Sequence, residues 1–397
     1  MRRRVWPTRS KPSSAADGVL LDLGRLKVRA VIFSRAYADP ANRGKLKALA
    51  GLGTAVTAAT PDRWVPSGLQ REQQTSFGDD GGVRIVPVPI GGSTRGGSNP
   101  RWNARALRRL LGDFKPDIVQ IEEEPWTRGA ASVDRLARRQ GVPYVVLTNE
   151  SLPGNHPWAT RLRGSRVLNG AAGVIGVNEL AARLVLRKHP ELKHRVVSQL
   201  GVALPLAAPR NSHPGLCIGF LARLIPEKGL DLLFRACVKL EGRWTILVVG
   251  TGPAQEELEA LAERLGIAGR VTWLGALPRP AVDEIWPQLD CVVLPSRTAP
   301  RWVEVTPRAA LDAMAHGIAV VASASGALPG TVGDAGIVVP EEDVPALTEA
   351  LQRLHDSPAE HLRLGSAGRR RVMDEFTDAA IAQKTVQFWR ELTNATA

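Results

Sequence analysis

Two hydrophobic spacings alternate along this 397-residue chain. Short Val- and Ile-rich runs with few polar interruptions read as strands buried on both faces. Between them apolar residues return every third or fourth position, the stripe of a helix. In the first half, VRAVIFS (28–34), TAVTAAT (54–60), VRIVPVPI (83–90), DIVQIE (117–122), PYVVLT (143–148), AGVIGV (172–177) and RVVSQL (195–200) predict strands. ANRGKLKALAGLG (41–53), PRWNARALRRLLGDF (100–114), RGAASVDRLARRQG (128–141) and NELAARLVLRK predict helices. GVALPLAAPRNSHPG, rich in proline and small residues, predicts a linker. A second pass follows, with strands LCIGFLA (216–222), TILVVG (245–250), VTWLG (271–275), CVVLPS (291–296) and IAVVAS (318–323). Its helices are GLDLLFRACVKL, AQEELEALAERLG, PAVDEIWPQL and one over 307–316.

The alternation predicts an α/β protein of two doubly wound, Rossmann-like domains, 27–208 and 214–376. Ligands of such sheets bind beyond the carboxyl ends of the strands, so two edges facing each other define a central cleft. The last helix, TDAAIAQKTVQFWREL (377–392), carries Phe388 and Trp389 on its apolar stripe and is expected to cross back onto the first domain. Residues 1–26 are basic, then small and polar, with no apolar stretch behind them. They read as a disordered tail or an upstream start rather than a signal peptide.

Composition narrows the classes. No apolar run approaches the roughly 18–20 residues that span a bilayer. Cys217, Cys237 and Cys291 are too scattered for a disulfide framework or a zinc site and read as small buried hydrophobes, consistent with a reducing cytoplasm. Charge is unevenly spread. Residues 1–200 carry 33 Lys and Arg against 16 Asp and Glu, a net of +17, whereas residues 201–397 carry 19 against 23, a net of −4. A basic first half suits an anionic partner: a lipid surface, a phosphorylated acceptor or nucleic acid. It equally suits an arginine-rich genome. No recognition motif supports nucleic acid. Arg101, Trp102, Arg105, Arg108 and Arg109, on one helix, could meet an anionic membrane or simply form a solvated face.

The most informative stretch is PSRTAPRWVEVTPRAALDAMAHG (295–317). Thr306 reads as a hydroxyl N-cap, Pro307 as the first helical residue, and Gly317 as a left-handed C-terminal stop. Glu304 then precedes a helix mouth, with Val305 between, and Asp312 stands about two turns in. A helix mouth attracts phosphate, while carboxylates beside it suit sugar hydroxyls. In GFLARLIPEKGLDLL (219–233), Arg223 and Lys228 stand at a strand-to-helix turn, a fork and a point charge fit for a diphosphate. Two solvated cations are the plain alternative. VVGTGPAQ (248–255) places Gly250 and Gly252 where backbone approaches a ligand, but it lacks the third glycine of a dinucleotide fingerprint. Leu274 lies at a strand end that lines a base pocket in this reading.

The order and spacing of these motifs, with SASGALPGTVGDAGIVVP (323–340), resemble the retaining GT-B fold glycosyltransferases of family 4, the group 1 transferases, over residues 215–375. The resemblance implies that Arg223 and Lys228 bind the donor diphosphate, Glu304 the donor sugar and Asp312 the ribose, the last two forming the family's E-x7-E motif. Two departures stand out. Asp312 is one methylene shorter than the usual Glu, and Pro329-Gly330 replaces Pro-Glu. The implied reaction moves a sugar from a nucleoside-diphosphate donor, with UDP or GDP expected, to an acceptor hydroxyl with retention. It implies no metal and no cofactor.

The acceptor, a saccharide, a lipid-linked sugar or a small molecule, is assigned to the first domain. Glu122, Glu123 and Glu124 at a strand end read as a solvated loop or, with Pro125 and Trp126, a sugar-binding edge. Asn149 and Glu150 end the next strand, where relatives carry a His; Asn149 cannot serve as a base near neutral pH. Arg43, Gly44 and Lys45 read as acceptor or phosphate contacts, or as a basic helix start. A sugar-nucleotide epimerase of the same fold and a non-catalytic nucleotide-sugar-binding protein stay open. The expected location is cytoplasmic, with peripheral contact at the inner membrane face as an option.

Overall fold

Ala30, Val31, Ile32 and Phe33 expose no surface, so the strand Arg29–Ser34 is covered on both sides, as its uninterrupted apolar sequence requires. The computed structural model describes residues 28–65, 72–95, 99–206 and 213–393. The expected tail at 1–26 and the centre of the expected linker, 207–212, lie outside the described residues. Arg29–Ser34 sits inside an eight-stranded sheet. In spatial order the strands are His194–Val196, Gly173–Gly176, Tyr144–Thr148, Ile118–Glu122, Arg29–Ser34, Ala55–Pro61, Val83–Val88 and Gly78–Asp79. All pairs are parallel except the edge strand Gly78–Asp79, which runs antiparallel.

The second sheet has six parallel strands, ordered Val271–Gly275, Trp244–Val249, Leu216–Leu221, Cys291–Leu294, Ala319–Ser323 and Ile337–Val339. Each sheet is doubly wound. The chain leaves the first sheet's inner strand in one direction and returns to build the other side, reversing between Arg29–Ser34 and Ile118–Glu122. The second sheet reverses between Leu216–Leu221 and Cys291–Leu294. At such switch points the loops part and leave a crevice for a ligand. Arg223 follows one of the two second-domain switch strands; Ser296 and the loop to Glu304 follow the other.

Separate apolar clusters fill both faces of each sheet. The final helix, Asp378–Thr393, contributes Ile381, Phe388 and Trp389 to the first domain's core beside Leu46 and Leu49. The Trp389 indole N–H donates to the Gln120 Oε1 at 2.9 Å. The expected return crossing is therefore present. Beside it lies a buried ion pair, Lys45 Nζ to Glu122 Oε1 at 2.6 Å, with the lysine side chain 1% exposed and the glutamate 0%. Glu122 also accepts from the Tyr37 hydroxyl and from Gln120 and Gln199 side-chain amides. Such a pair is tolerable inside only when its remaining lone pairs are satisfied, and here they are. Cys217, Cys237 and Cys291 are free and buried.

Several boundaries move for local reasons. The helix expected over 41–53 begins at Gly44, after a short 3-10 turn, Pro40–Asn42, in which Asp39 accepts from the Ala41 N–H. The helix expected from 100 begins at Ala104, because Asn103 caps it by accepting from the Ala106 N–H. Arg101–Trp102 instead pairs with Ile90–Gly91. The strand expected over 195–200 is His194–Val196. The expected Thr306 cap is also displaced. The Arg308 N–H bonds to the Thr306 carbonyl at 2.8 Å across Pro307, whose φ of −77° and ψ of 74° make an inverse γ-turn. The helix is Arg308–Ala315, Pro307 holds the cap position, and no side chain caps it. Asp312 consequently stands one turn in, not two. Gly317, with φ 72°, ends it as expected. Four of the described α-helices went unread: Trp158–Gly170, Leu328–Val332, Val344–Asp356 and Pro358–Glu375. The first buries only Gly164, Val167 and Leu168, too narrow a stripe to show in sequence.

Candidate functional site

Leu294 ends its strand buried, and the chain then loops through Trp302 and Glu304 before the helix Arg308–Ala315. Glu304 is 6% exposed, and a carboxylate there demands partners. Its Oε2 accepts from Lys228 Nζ at 2.6 Å and from the Ser296 hydroxyl at 3.3 Å. The Lys228 ammonium also lies over the Trp302 ring, 5.1 Å from its centroid. Gly326, with φ 58°, supports this loop from beneath. A side chain there would strike the Glu304 carbonyl, which accepts from the Ala327 N–H at 2.7 Å.

These residues line one wall of a cleft of about 640 Å³. Arg223, Lys228, Arg301, Trp302, Glu304 to Pro307 and Arg308 come from the second domain. Asn149, Glu150, Ser151 and Leu152 come from the first. The sequence therefore brought Arg223, Lys228, Glu304, Val305, Thr306, Pro307, Asn149 and Glu150 to one place. Arg223 is exposed, with no ion pair among the described residues. Arg308 reaches across the domains, its guanidinium donating to the Gly201 carbonyl at 2.9 Å.

Other expected site residues have different work. Asp312 lies outside this lining and faces Arg279 at 3.5 Å and Arg308 at 3.9 Å. Gly250 and Gly252 permit close approach, but to protein. A side chain on either would strike the backbone carbonyl of Ala222 or Leu224. Leu274 packs against the core. Arg43 is nearly buried, donating to the Tyr37 carbonyl at 2.9 Å and to Asp80 at 3.1 Å, so it has no guanidinium fork to offer an acceptor. Gly44 lines an adjoining cavity of about 560 Å³. The Asp378 carboxylate already covers the start of its helix and accepts from the Lys45 and Gly201 N–H groups.

The solvated reading of the triple glutamate fails. Glu122 and Glu123 are buried. Glu123 accepts from the Trp102 indole at 3.1 Å and the Thr127 hydroxyl at 3.0 Å, and burial raises its pKa. Trp102 is thereby also removed from the expected membrane face. Glu124 accepts from the Thr148 hydroxyl at 2.5 Å and the Asn149 N–H at 2.8 Å. Burial pushes its pKa up to about 7, only partly offset by those hydrogen bonds. Glu150 accepts from the Trp126 indole at 3.1 Å and contacts His156 Nε2 at 2.6 Å, with the two rings 4.6 Å apart.

Sequence reading missed His156, Arg301, Trp302 and Arg308 as site residues. Trp302 had a signal, an aromatic two residues before Glu304; His156 had none. Among the described residues no group of three or more His, Cys, Asp or Glu side chains could hold a metal ion. No described helix is long and apolar enough to cross a membrane. Chemically, the cleft sets several cations and one carboxylate against a polar wall, an arrangement for anionic leaving groups and hydroxyls.

Residues 209–371 match the family described as glycosyl transferases group 1, and residues 40–201 the glycosyl transferase 4-like domain. A 2-deoxystreptamine N-acetyl-D-glucosaminyltransferase of Streptomyces fradiae is 35% identical over 322 residues, 71% of this chain and 74% of that protein. A GDP-mannose-dependent alpha-(1-6)-phosphatidylinositol monomannoside mannosyltransferase of Mycolicibacterium smegmatis is 35% identical over 163 residues. This match covers 39% of the chain and less than half, 43%, of that protein. Among solved structures, sucrose-phosphate synthase from Thermosynechococcus elongatus superposes with a TM-score of 0.66 at 20% identity, covering 93% of this chain and 100% of that one. HepE of Anabaena, solved with UDP and glucose, gives 0.61 at 15%, covering 92% and 100%. These last two likenesses concern the fold. With both domains matched and an extended relative alongside, the chain belongs to the group 1 glycosyltransferases of GT-B fold.

Proposed function

We propose that the protein transfers a sugar from a nucleoside-diphosphate donor to an acceptor hydroxyl, with retention and without a metal. The observation that carries this reading is the convergence of Arg223, Lys228 and Glu304 on one wall of the cleft, opposite Asn149 and Glu150. Arg223 and Lys228 take the diphosphate, neutralising the charge that grows as it leaves. Glu304 accepts from hydroxyls of the donor sugar, and Asp312, in the wall beyond, from those of the ribose. The bond from the anomeric carbon to the diphosphate oxygen breaks while a bond to the acceptor oxygen forms on the same face. The acceptor proton passes to the departing diphosphate oxygen, so neither Asn149 nor any other side chain has to act as base. Closure of the cleft sets the acceptor hydroxyl against the anomeric carbon; with no acceptor present a water held in the same place reacts slowly, with the same stereochemistry. UDP and GDP are the favoured carriers, after the GDP-mannose of the Mycolicibacterium smegmatis relative and the UDP held by HepE.

The acceptor is a hydroxylated molecule held by Asn149 and Glu150. Among the described residues no Lys or Arg of the first half lines the cleft. Part of that half's basic surplus lies on the packed helices Ala104–Phe114, Arg128–Arg139 and Trp158–Gly170. Arg105, Arg108, Arg109 and Arg161 are exposed there, with Trp158 and Leu162 projecting beside them. Such a face suits peripheral contact with an anionic bilayer. Thermal-shift titration with UDP, GDP and their hexose conjugates tests the donor reading. A stabilising diphosphate is expected, followed by release of an α-sugar from an α-donor. No shift with any nucleotide would overturn it.

A further inference from the structure

Asn178 begins the helix Glu179–Leu186, its Oδ1 accepting from the Ala181 N–H at 2.9 Å. That cap uses only the oxygen, and Ser, Thr or Asp would serve equally well. The amide nitrogen is left over, and it donates across the domains to the carbonyl of Val305 at 2.9 Å. It also donates to the Ser151 hydroxyl at 3.0 Å. Ser151 follows Asn149 and Glu150 and bonds the Asn149 carbonyl at 3.1 Å. Val305 follows Glu304. One side chain, 7% exposed, thus joins the strand-end loop of the first domain to the glutamate loop of the second. Of the common capping residues only Asn has both an oxygen for the cap and an N–H to reach out with.

We infer that Asn178 is a positioning residue: its amide latches the closed cleft and sets the Glu304 loop in register with the Asn149–Glu150 loop. The inference rests on the proposed transfer reaction for its catalytic consequence, though not for the closure itself. When the domains part, the amide and the Val305 carbonyl return to water; when they meet, the bond registers the two loops. Misregister of about an ångström between reacting groups costs of order a hundredfold in rate. The latch therefore bears on turnover and leaves nucleotide affinity, set by Arg223 and Lys228, nearly untouched.

The test compares Asn178→Asp and Asn178→Ser, both of which keep the cap, in the full chain. Asp cannot donate to Val305, and the Ser hydroxyl is too short to span the gap. Should the Asp variant fold poorly, the Ser variant carries the comparison. Both are expected to melt within a few degrees of wild type and to bind UDP or GDP within about twofold. Small-angle scattering of the ligand-free chain should shift toward a more open form. Hydrolysis of UDP-glucose or GDP-mannose, whichever wild type turns over, should slow by ~10–100-fold in kcat with KM little changed. Wild-type scattering and turnover in a folded variant would overturn the latch. So would slow turnover with unchanged scattering, or a loss of nucleotide affinity as large as the loss of rate. If wild type hydrolyses neither donor, the scattering comparison alone decides the latch, and the transfer reading is decided by the nucleotide titration.

Discussion

The two walls of the cleft handle charge in opposite ways. On the second-domain wall Arg223 points into solvent, and Lys228 and Glu304 meet at 2.6 Å where the cleft can reach them. On the first-domain side Lys45, Glu122, Glu123 and Arg43 are buried in contacts within the fold. What faces the cavity there is Asn149 and Glu150, behind them Glu124 at a pKa of about 7. One wall leaves its cations open to the cleft; the other spends most of its charge on its own architecture. A charged residue near a strand end is therefore no guide to a ligand until its partners are known.

The heaviest blow to this contrast is Glu304→Ala. Turnover should fall by about a thousandfold or more, the scale of removing a preorganised electrostatic contact, while UDP or GDP affinity changes little. Turnover close to wild type would remove Glu304 from the donor wall. Next come Arg223→Ala and Lys228→Ala. Each loses a charge-assisted bond worth roughly 1.5–3 kcal/mol, so calorimetry should show diphosphate binding weakened by ~10–100-fold. Lys228→Ala should also lower the melting temperature, because it strands the buried Glu304; Arg223→Ala should not.

The opposite wall is probed through pH. The Glu124 carboxyl titrates at about 7 when folded and near 4.3 when unfolded. Between those values the folded state holds a proton that the unfolded state releases, so Glu124 subtracts increasingly from stability as pH rises through that window. The full effect is roughly 4 kcal/mol. Glu124→Gln should flatten that dependence, with urea melts at pH 8 showing a gain that is absent at pH 4; equal gains at both would contradict it. The mildest change is Arg108→Glu with Arg109→Glu, far from either wall. Soluble turnover should stay within about twofold, while sedimentation with phosphatidylserine vesicles at low salt should be lost. Retained sedimentation would confine the basic face to solubility.

Most of the sheet strands were legible because parallel strands buried on both faces leave near-continuous apolar runs. The second-domain wall of the cleft was legible because Arg223, Lys228 and Glu304 sit in the loops that follow such runs, at the switch point. The first domain hid more. Nothing in EEEPW tells a buried glutamate from a solvated one, since Glu123 is satisfied by Trp102, 21 residues away. The Thr306 cap misled because Pro307 permits both a first helical turn and an inverse γ-turn. Gly250 and Gly252 announced a close approach without saying to what. His156 acts through Glu150, six residues upstream, across a segment with no periodic signal.

The return of Asp378–Thr393 to the first domain has a consequence for synthesis. Phe388 and Trp389 seal a core whose other walls are made at the start of the chain. The second domain has all its strands and its own packed helices before that segment is made. A ribosome therefore releases a finished second domain while the first waits, open along one side, for the last few turns of helix. Domains generally mature in the order they are translated; here the first to be made is the last to be completed.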